Sequence, residues 1–171
     1  YDNVAEITPG STFRQPMMLF RNLDGKRLLD AAPAMGGEWT RPILGRGSAR
    51  GDFDNDGKID LLVVDYDGSP LLLHNRTENQ HHWLEIIARG QKRNRLGYGL
   101  RISAHFEDRV WVTEISPSAS YLSTSAARAH LGLGAVTRLD RVVLQWPSGR
   151  KQVLHGVAAD QVLTVSESSA S

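Results

Sequence analysis

The stretch Asp52-Phe53-Asp54-Asn55-Asp56-Gly57-Lys58-Ile59-Asp60 puts four carboxylates at its first, third, fifth and ninth positions. A hard cation such as calcium takes about six to eight oxygen ligands in flexible geometry, and side chains at loop positions 1, 3 and 5 can converge on it. Asp52, Asp54 and Asp56 hold those positions. The Lys58 carbonyl is available at the seventh, and Asp60 closes the set at the ninth. Gly57 tolerates the backbone angles of a sharp turn. Carboxylates this close repel one another unless a cation sits among them. The expected metal ligands are therefore Asp52, Asp54, Asp56, Lys58 and Asp60, and the expected ion is Ca2+. The loop is not an EF-hand, because its twelfth position is Val63 and not glutamate. Its chemistry is structural and not catalytic.

The flanks predict how the loop is held. Leu61-Leu62-Val63-Val64 is a short apolar run ending at Asp65-Tyr66-Asp67-Gly68, which reads as a buried strand running into a turn. Pro16-Met17-Met18-Leu19-Phe20-Arg21-Asn22 is echoed by Pro70-Leu71-Leu72-Leu73-His74-Asn75, a faint internal repeat. The first copy continues into Leu23-Asp24-Gly25-Lys26, a turn of the Asp-Gly type. Further on, residues 82–88, 98–106, 109–116, 139–146, 151–154 and 161–165 read as short strands separated by turn residues. Leu100, Ile102, Ala104 and Phe106 share one face of the second strand. Val110 and Val112 oppose Trp111, Thr113 and Ile115 on the third. Pro147-Ser148-Gly149 is a hairpin turn. Six or more antiparallel strands at this spacing predict a β-sandwich or small barrel.

Composition bounds the remaining possibilities. The chain has 171 residues, 40% of them hydrophobic and 23% charged, which suits one globular domain or two small ones. No apolar run approaches a membrane span. Zero cysteines exclude disulfides and thiolate metal sites. Residues 1–80 hold nine Lys/Arg against twelve Asp/Glu, and residues 81–171 hold eleven against seven. The balance shifts from −3 to +4 near the polar residues 75–80, which mark the expected junction. The expected organisation is residues 1–80, then 81–167, then a frayed tail at 168–171. Tyr1 opens no visible signal peptide, and the expectation is a C-terminal piece of a longer protein.

Two resemblances follow from these motifs. Gly47-Ser48-Ala49-Arg50-Gly51-Asp52-Phe53-Asp54-Asn55-Asp56-Gly57 resembles the FG-GAP or VCBS repeat, the blade unit of integrin-type β-propellers. That implies calcium at the rim of a partial propeller blade, with the rest of the propeller upstream. Asn94-Arg95-Leu96-Gly97-Tyr98-Gly99, Tyr121-Leu122-Ser123-Thr124-Ser125, His130-Leu131-Gly132-Leu133-Gly134 and Trp146-Pro147-Ser148-Gly149 resemble the ordered anchors of the ASPIC/UnbV domain, and His82-Trp83-Leu84 its opening strand. The two together resemble the cartilage acidic protein 1-like family, which implies a secreted or surface protein. This chain is not acidic as the animal members are.

The expected fold is thus all-β, a partial propeller blade with a calcium loop followed by an antiparallel sandwich or small barrel. Arg89, Lys92, Arg93, Arg95 and Arg101 form the strongest basic cluster, a solvated loop or a patch for an anionic ligand. The charge balance and the lack of a recognition motif argue against nucleic acid. Gly45-x-Gly47 and Gly97-x-Gly99 lack the third glycine and helix of a phosphate loop. His130 reads as a strand histidine satisfied by a backbone carbonyl. His81-His82 could bind a transition metal, but Trp83 beside them points to strand packing. No nucleophile–base motif is visible. The function expected is a non-enzymatic, calcium-stabilised binding or adhesion module. Its place would be extracellular, at the cell surface or periplasmic, and its partner a protein or an acidic glycan. The alternative is an accessory or catalytic protein in a biosynthetic or glycan-processing pathway.

Overall fold

Short runs of alternating apolar and polar residues, cut by Gly, Pro and Asp, produce strands throughout the chain. The computed structural model describes residues 7–10, 12–91, 93–116, 118 and 120–167. The strands are β1 (Phe20–Leu23), β2 (Arg27–Asp30), β3 (Gly45–Gly51), β4 (Asp60–Asp65), β5 (Leu71–Leu73), β6 (His82–Arg89), β7 (Arg101–Phe106), β8 (Arg109–Glu114), β9 (Arg128–Gly134), β10 (Arg138–Gln145), β11 (Lys151–Ala158) and β12 (Gln161–Ser166). A short helix, α1 (Ala32–Met35), and a 3-10 turn, Gly37–Thr40, lie between β2 and β3. The expected tail at 168–171 lies outside the described residues.

The later strands form two sheets, ordered β11-β10-β7-β8 and β12-β6-β9. Their inner faces share one core. Leu84, Ile86, Ala88, Leu131 and Val165 come from one sheet; Ile102, Ala104, Leu139, Val142, Leu144 and Val157 come from the other. Two open sheets across one core are a sandwich, and neither closes into a barrel. Trp146 is buried, and its indole N–H donates to Gln152 Oε1 at 2.7 Å, so the ring enters the core without an unsatisfied donor. The turn at Pro147-Ser148-Gly149 forms as expected: Gly149 N–H donates to the Trp146 carbonyl at 2.9 Å. Gly97 has φ +65, and a Cβ there would lie 2.3 Å from that of Ala88. Only a residue without a Cβ lets the backbone pass this close to β6.

One strand expectation needs correction, and two further strands depart from simple alternation. β12 runs parallel to β6, with Gln161 opposite Leu84 and Ser166 opposite Arg89. The chain leaves β11 in one sheet and joins the other, so no tight hairpin forces it to reverse. β8 does not bury alternate residues: Val110, Trp111 and Val112 are all exposed, although the strand pairs with β7 from Arg109 to Glu114. β9 was legible only at His130, since two glycines interrupt its apolar pattern.

The first half is built differently. β1 and β2 form a hairpin through Asp24 and Gly25, both at positive φ, as the Asp-Gly signal predicts. β3, β4 and β5 form a separate antiparallel sheet, one strand short of the four in a propeller blade. The two copies of the faint repeat end in different settings, one in β1 of the hairpin and the other in β5 of this sheet. The run at residues 61–64 is half-buried and not fully buried: Val63 is covered while Leu62 and Val64 are exposed, since successive strand residues face opposite ways. Among the described residues of this half, Ala32, Ile43, Leu44 and Val63 are the buried apolar ones.

Candidate metal centre

The aspartate loop spans the gap between β3 and β4, so an antiparallel strand pair holds both of its ends. Inside it, carboxylates accept from nearby backbone amides. Asp52 Oδ1 accepts from Asp56 N at 3.0 Å and its Oδ2 from Gly57 N at 2.8 Å. Asp54 Oδ1 accepts from Asp56 N at 3.2 Å, and Asp56 Oδ1 from Lys58 N at 2.8 Å. These bonds turn the side chains toward the loop's own interior. Asp52, Asp54 and Asp56 each offer an oxygen within 4.8 Å of the others. This all-oxygen donor set, already oriented by backbone N–H groups, fits a hard cation.

Asp60 is placed differently from the other three. It is buried, with Oδ2 accepting from Phe53 N at 2.9 Å and Oδ1 from Asn75 N at 2.8 Å. Its carboxylate therefore ties the start of the loop to the chain leaving β5. Asp60 also groups with Asp54 and His74, ligand atoms again within 4.8 Å. The predicted carboxylates thus fall into two overlapping groups that share Asp54. His74 Nε2 lies 3.0 Å from Asp54 Oδ2. Sequence reading did not single it out, because only the register that sets Leu61 opposite Leu73 brings it beside Asp60.

Lys58, expected for its carbonyl, also engages through its ammonium, 2.7 Å from Asp56 Oδ2. That hydrogen bond holds the Asp56 carboxyl below its usual range and raises the Lys58 ammonium above its own.

The loop touches the sandwich at Gly57. Its carbonyl accepts from His130 Nε2 at 2.8 Å, so the strand histidine is satisfied as expected, and by the loop itself. Trp83 stacks on His130 with centroids 6.1 Å apart and planes 6° from parallel. A Cβ on Gly57, whose φ is +86, would lie 2.0 Å from Trp83 Nε1. A cleft of about 750 Å³ opens beside this contact, lined in part by Asp56, Lys58, His82, Trp83 and Asp160. His82 Nδ1 lies 2.6 Å from Asp160 Oδ2, and Asp160 Oδ1 accepts from Trp83 N at 3.3 Å. A histidine–carboxylate pair can move protons. Here it fastens the start of β6 to the turn before β12, and among the described residues no hydroxyl is hydrogen-bonded to the ring. Neither His81 nor His82 joins a metal-ligating group among those residues.

The basic cluster surrounds the β6–β7 connection. Arg89 ends β6, Arg93 and Arg95 lie in the loop, and Arg101 opens β7; all four are exposed. Lys92 lies outside the described residues. Asn94 shapes the loop, accepting from Tyr98 N at 3.0 Å and donating to its carbonyl at 2.7 Å. Glu167 borders it, accepting from Gln91 N at 3.3 Å. Among the described residues no helix is long and apolar enough to cross a membrane.

No curated protein matches the chain. The ASPIC and UnbV family model matches residues 90–171, a span holding β7 to β12 and the four motifs from Asn94 to Gly149. β6, which supplies the centre of the smaller sheet, precedes the matched span. The C-terminal part of this chain is an ASPIC and UnbV domain.

Proposed function

We propose that this chain is a non-enzymatic, calcium-stabilised extracellular binding module, in which an FG-GAP or VCBS-type loop is held against the ASPIC and UnbV domain. The convergence of Asp52, Asp54 and Asp56 within 4.8 Å is the observation that carries it. When bound, the cation supplies positive charge that neutralises these carboxylates and staples the loop. Asp52 and Asp56 orient their oxygens through backbone amides, and Asp60 anchors the loop's two sides. Extracellular modules of this kind bind calcium with Kd of about 10⁻⁴–10⁻³ M, which suits a secreted, surface or periplasmic setting. The exposed Arg89, Arg93, Arg95 and Arg101 offer a surface for an acidic protein or glycan.

The test is thermal unfolding in chelator and in calcium. A ligand at about 100 times its Kd stabilises the folded state by about 2.7 kcal/mol. For a chain of this size that is a rise of roughly 5–11 °C. Asp54→Ala should remove the rise. An identical melting temperature in chelator and at about 10 mM calcium, a level well above the expected Kd, refutes the reading.

A further inference from the structure

We propose that His130, backed by Trp83, is a positioning residue for the aspartate loop, so that the sandwich sets the loop's affinity for its cation. This rests on the calcium reading above and adds what regulates the site.

Gly57 is the link. It stands between the ligand positions Asp56 and Lys58. Its N–H donates to Asp52 Oδ2 at 2.8 Å, fixing the carboxylate at the loop's first position. Its carbonyl accepts from His130 Nε2 at 2.8 Å. A carbonyl has no proton to give, so Nε2 must carry the hydrogen. The histidine thereby holds the peptide unit that follows Gly57. Trp83 holds the other side, packed where a Gly57 side chain would be and parallel to the His130 ring. His130 lies in β9 opposite Glu85 of β6, so a rigid sheet supports both rings.

A second contact from the same sandwich holds the strand that feeds the loop. The outer edge of β3 presents the amides of Ser48 and Arg50. They donate to Ser123 Oγ at 3.0 Å and Ser125 Oγ at 3.2 Å. Ser123 Oγ in turn donates to the Tyr121 carbonyl at 2.8 Å, leaving its lone pairs to receive Ser48. Residues 121–126 thus occupy an edge that would otherwise be open to another strand. The loop's entrance and its sharpest turn are both fixed from the sandwich. A loop ordered before binding spends less of its binding free energy on ordering, and so binds more tightly.

The experiment is calorimetric titration of the full chain with calcium chloride, for wild type, His130→Phe and His130→Gln. Phenylalanine keeps the ring and loses the donor; glutamine keeps an N–H donor. The expected result is a Kd raised about fivefold in His130→Phe, the scale of one net hydrogen bond, with at least partial recovery in His130→Gln. Amide hydrogen exchange without metal should show faster exchange at Asp56 and Gly57 in His130→Phe alone. Equal Kd and equal exchange in all three proteins would overturn the proposal. If the wild type binds no calcium, the calcium reading fails and the affinity claim with it. The exchange rates then decide by themselves whether His130 positions the loop.

Discussion

Gly57→Ala should be among the most damaging single-methyl additions in this protein, and the structure supplies the reasons separately. The residue has φ +86, a conformation an L side chain rarely adopts. Left-handed backbone costs roughly 1–2 kcal/mol for a residue with a Cβ. The added Cβ would also lie 2.0 Å, 2.1 Å and 2.4 Å from Nε1, Cε2 and Cδ1 of Trp83. The indole is a flat ring stacked on His130, so it cannot fold away as a flexible chain end could. Forcing a methyl into such packing costs about 1–3 kcal/mol. The expected total is about 2–5 kcal/mol, read as a lower urea midpoint at constant m. Trp83→Ala removes the obstruction and leaves the backbone strain. In that background Gly57→Ala should cost only about 1–2 kcal/mol, giving a coupling of about 1–3 kcal/mol across the double-mutant cycle. A loss under about 1 kcal/mol in the Trp83 protein, below the backbone cost alone, would refute the reasoning. So would a coupling near zero.

Three further outcomes follow from the same geometry. Lys58→Met should raise calcium affinity severalfold, because it removes an exposed positive charge from beside the cation's ligands; titration at low and high salt checks it, with the gain shrinking at high salt. Arg128→Met should cost about 2–3 kcal/mol by urea denaturation. It leaves Glu85, only 2% exposed, without the Arg128 Nη1 contact at 2.6 Å, and the value sits below the usual range for a broken buried pair because Arg128 is itself 37% exposed. A chain cut to residues 16–80 should aggregate or fail to melt cooperatively, since it loses the cover on β3 and holds few buried apolar side chains; a monomeric, cooperative melt would show it to be self-sufficient.

What could be read from sequence was what depends on near neighbours. The aspartates of the loop orient one another through amides two to five residues away, so spacing alone exposes them. The turns at Asp24-Gly25 and Pro147-Ser148-Gly149 are local in the same sense. The alternation at Leu100, Ile102, Ala104 and Phe106 marks a strand with one buried face, and all four are buried. What escaped depends on register or on sheet exchange. His74 meets Asp54 and Asp60 only through the pairing of β4 with β5. The parallel β6–β12 pair needs the chain to change sheets, which no local pattern records. The exposure of Val110, Trp111 and Val112 on both faces of β8 is likewise not recorded in their residue types.

The step in charge at residues 75–80 divides the chain by composition, yet the folded protein is not energetically divided there. The sandwich buries seventeen apolar residues in one cluster, and each fully buried aliphatic side chain contributes about 1.5–3 kcal/mol before entropy is counted. Among its described residues the first half buries four. A sheet of three short strands with so little apolar cover is marginal by itself, and β3 brings an open edge besides. Ser123 and Ser125 cap that edge with hydroxyls, which satisfy its amides without continuing the sheet. The aspartate loop hangs from this capped strand and presses Gly57 against Trp83 and His130. The loop with the most chemistry in the chain is therefore also a joint, one side built by the weaker sheet and the other by the sandwich. A cation that orders its carboxylates would strengthen the contact, and by thermodynamic reciprocity the contact must favour the cation equally.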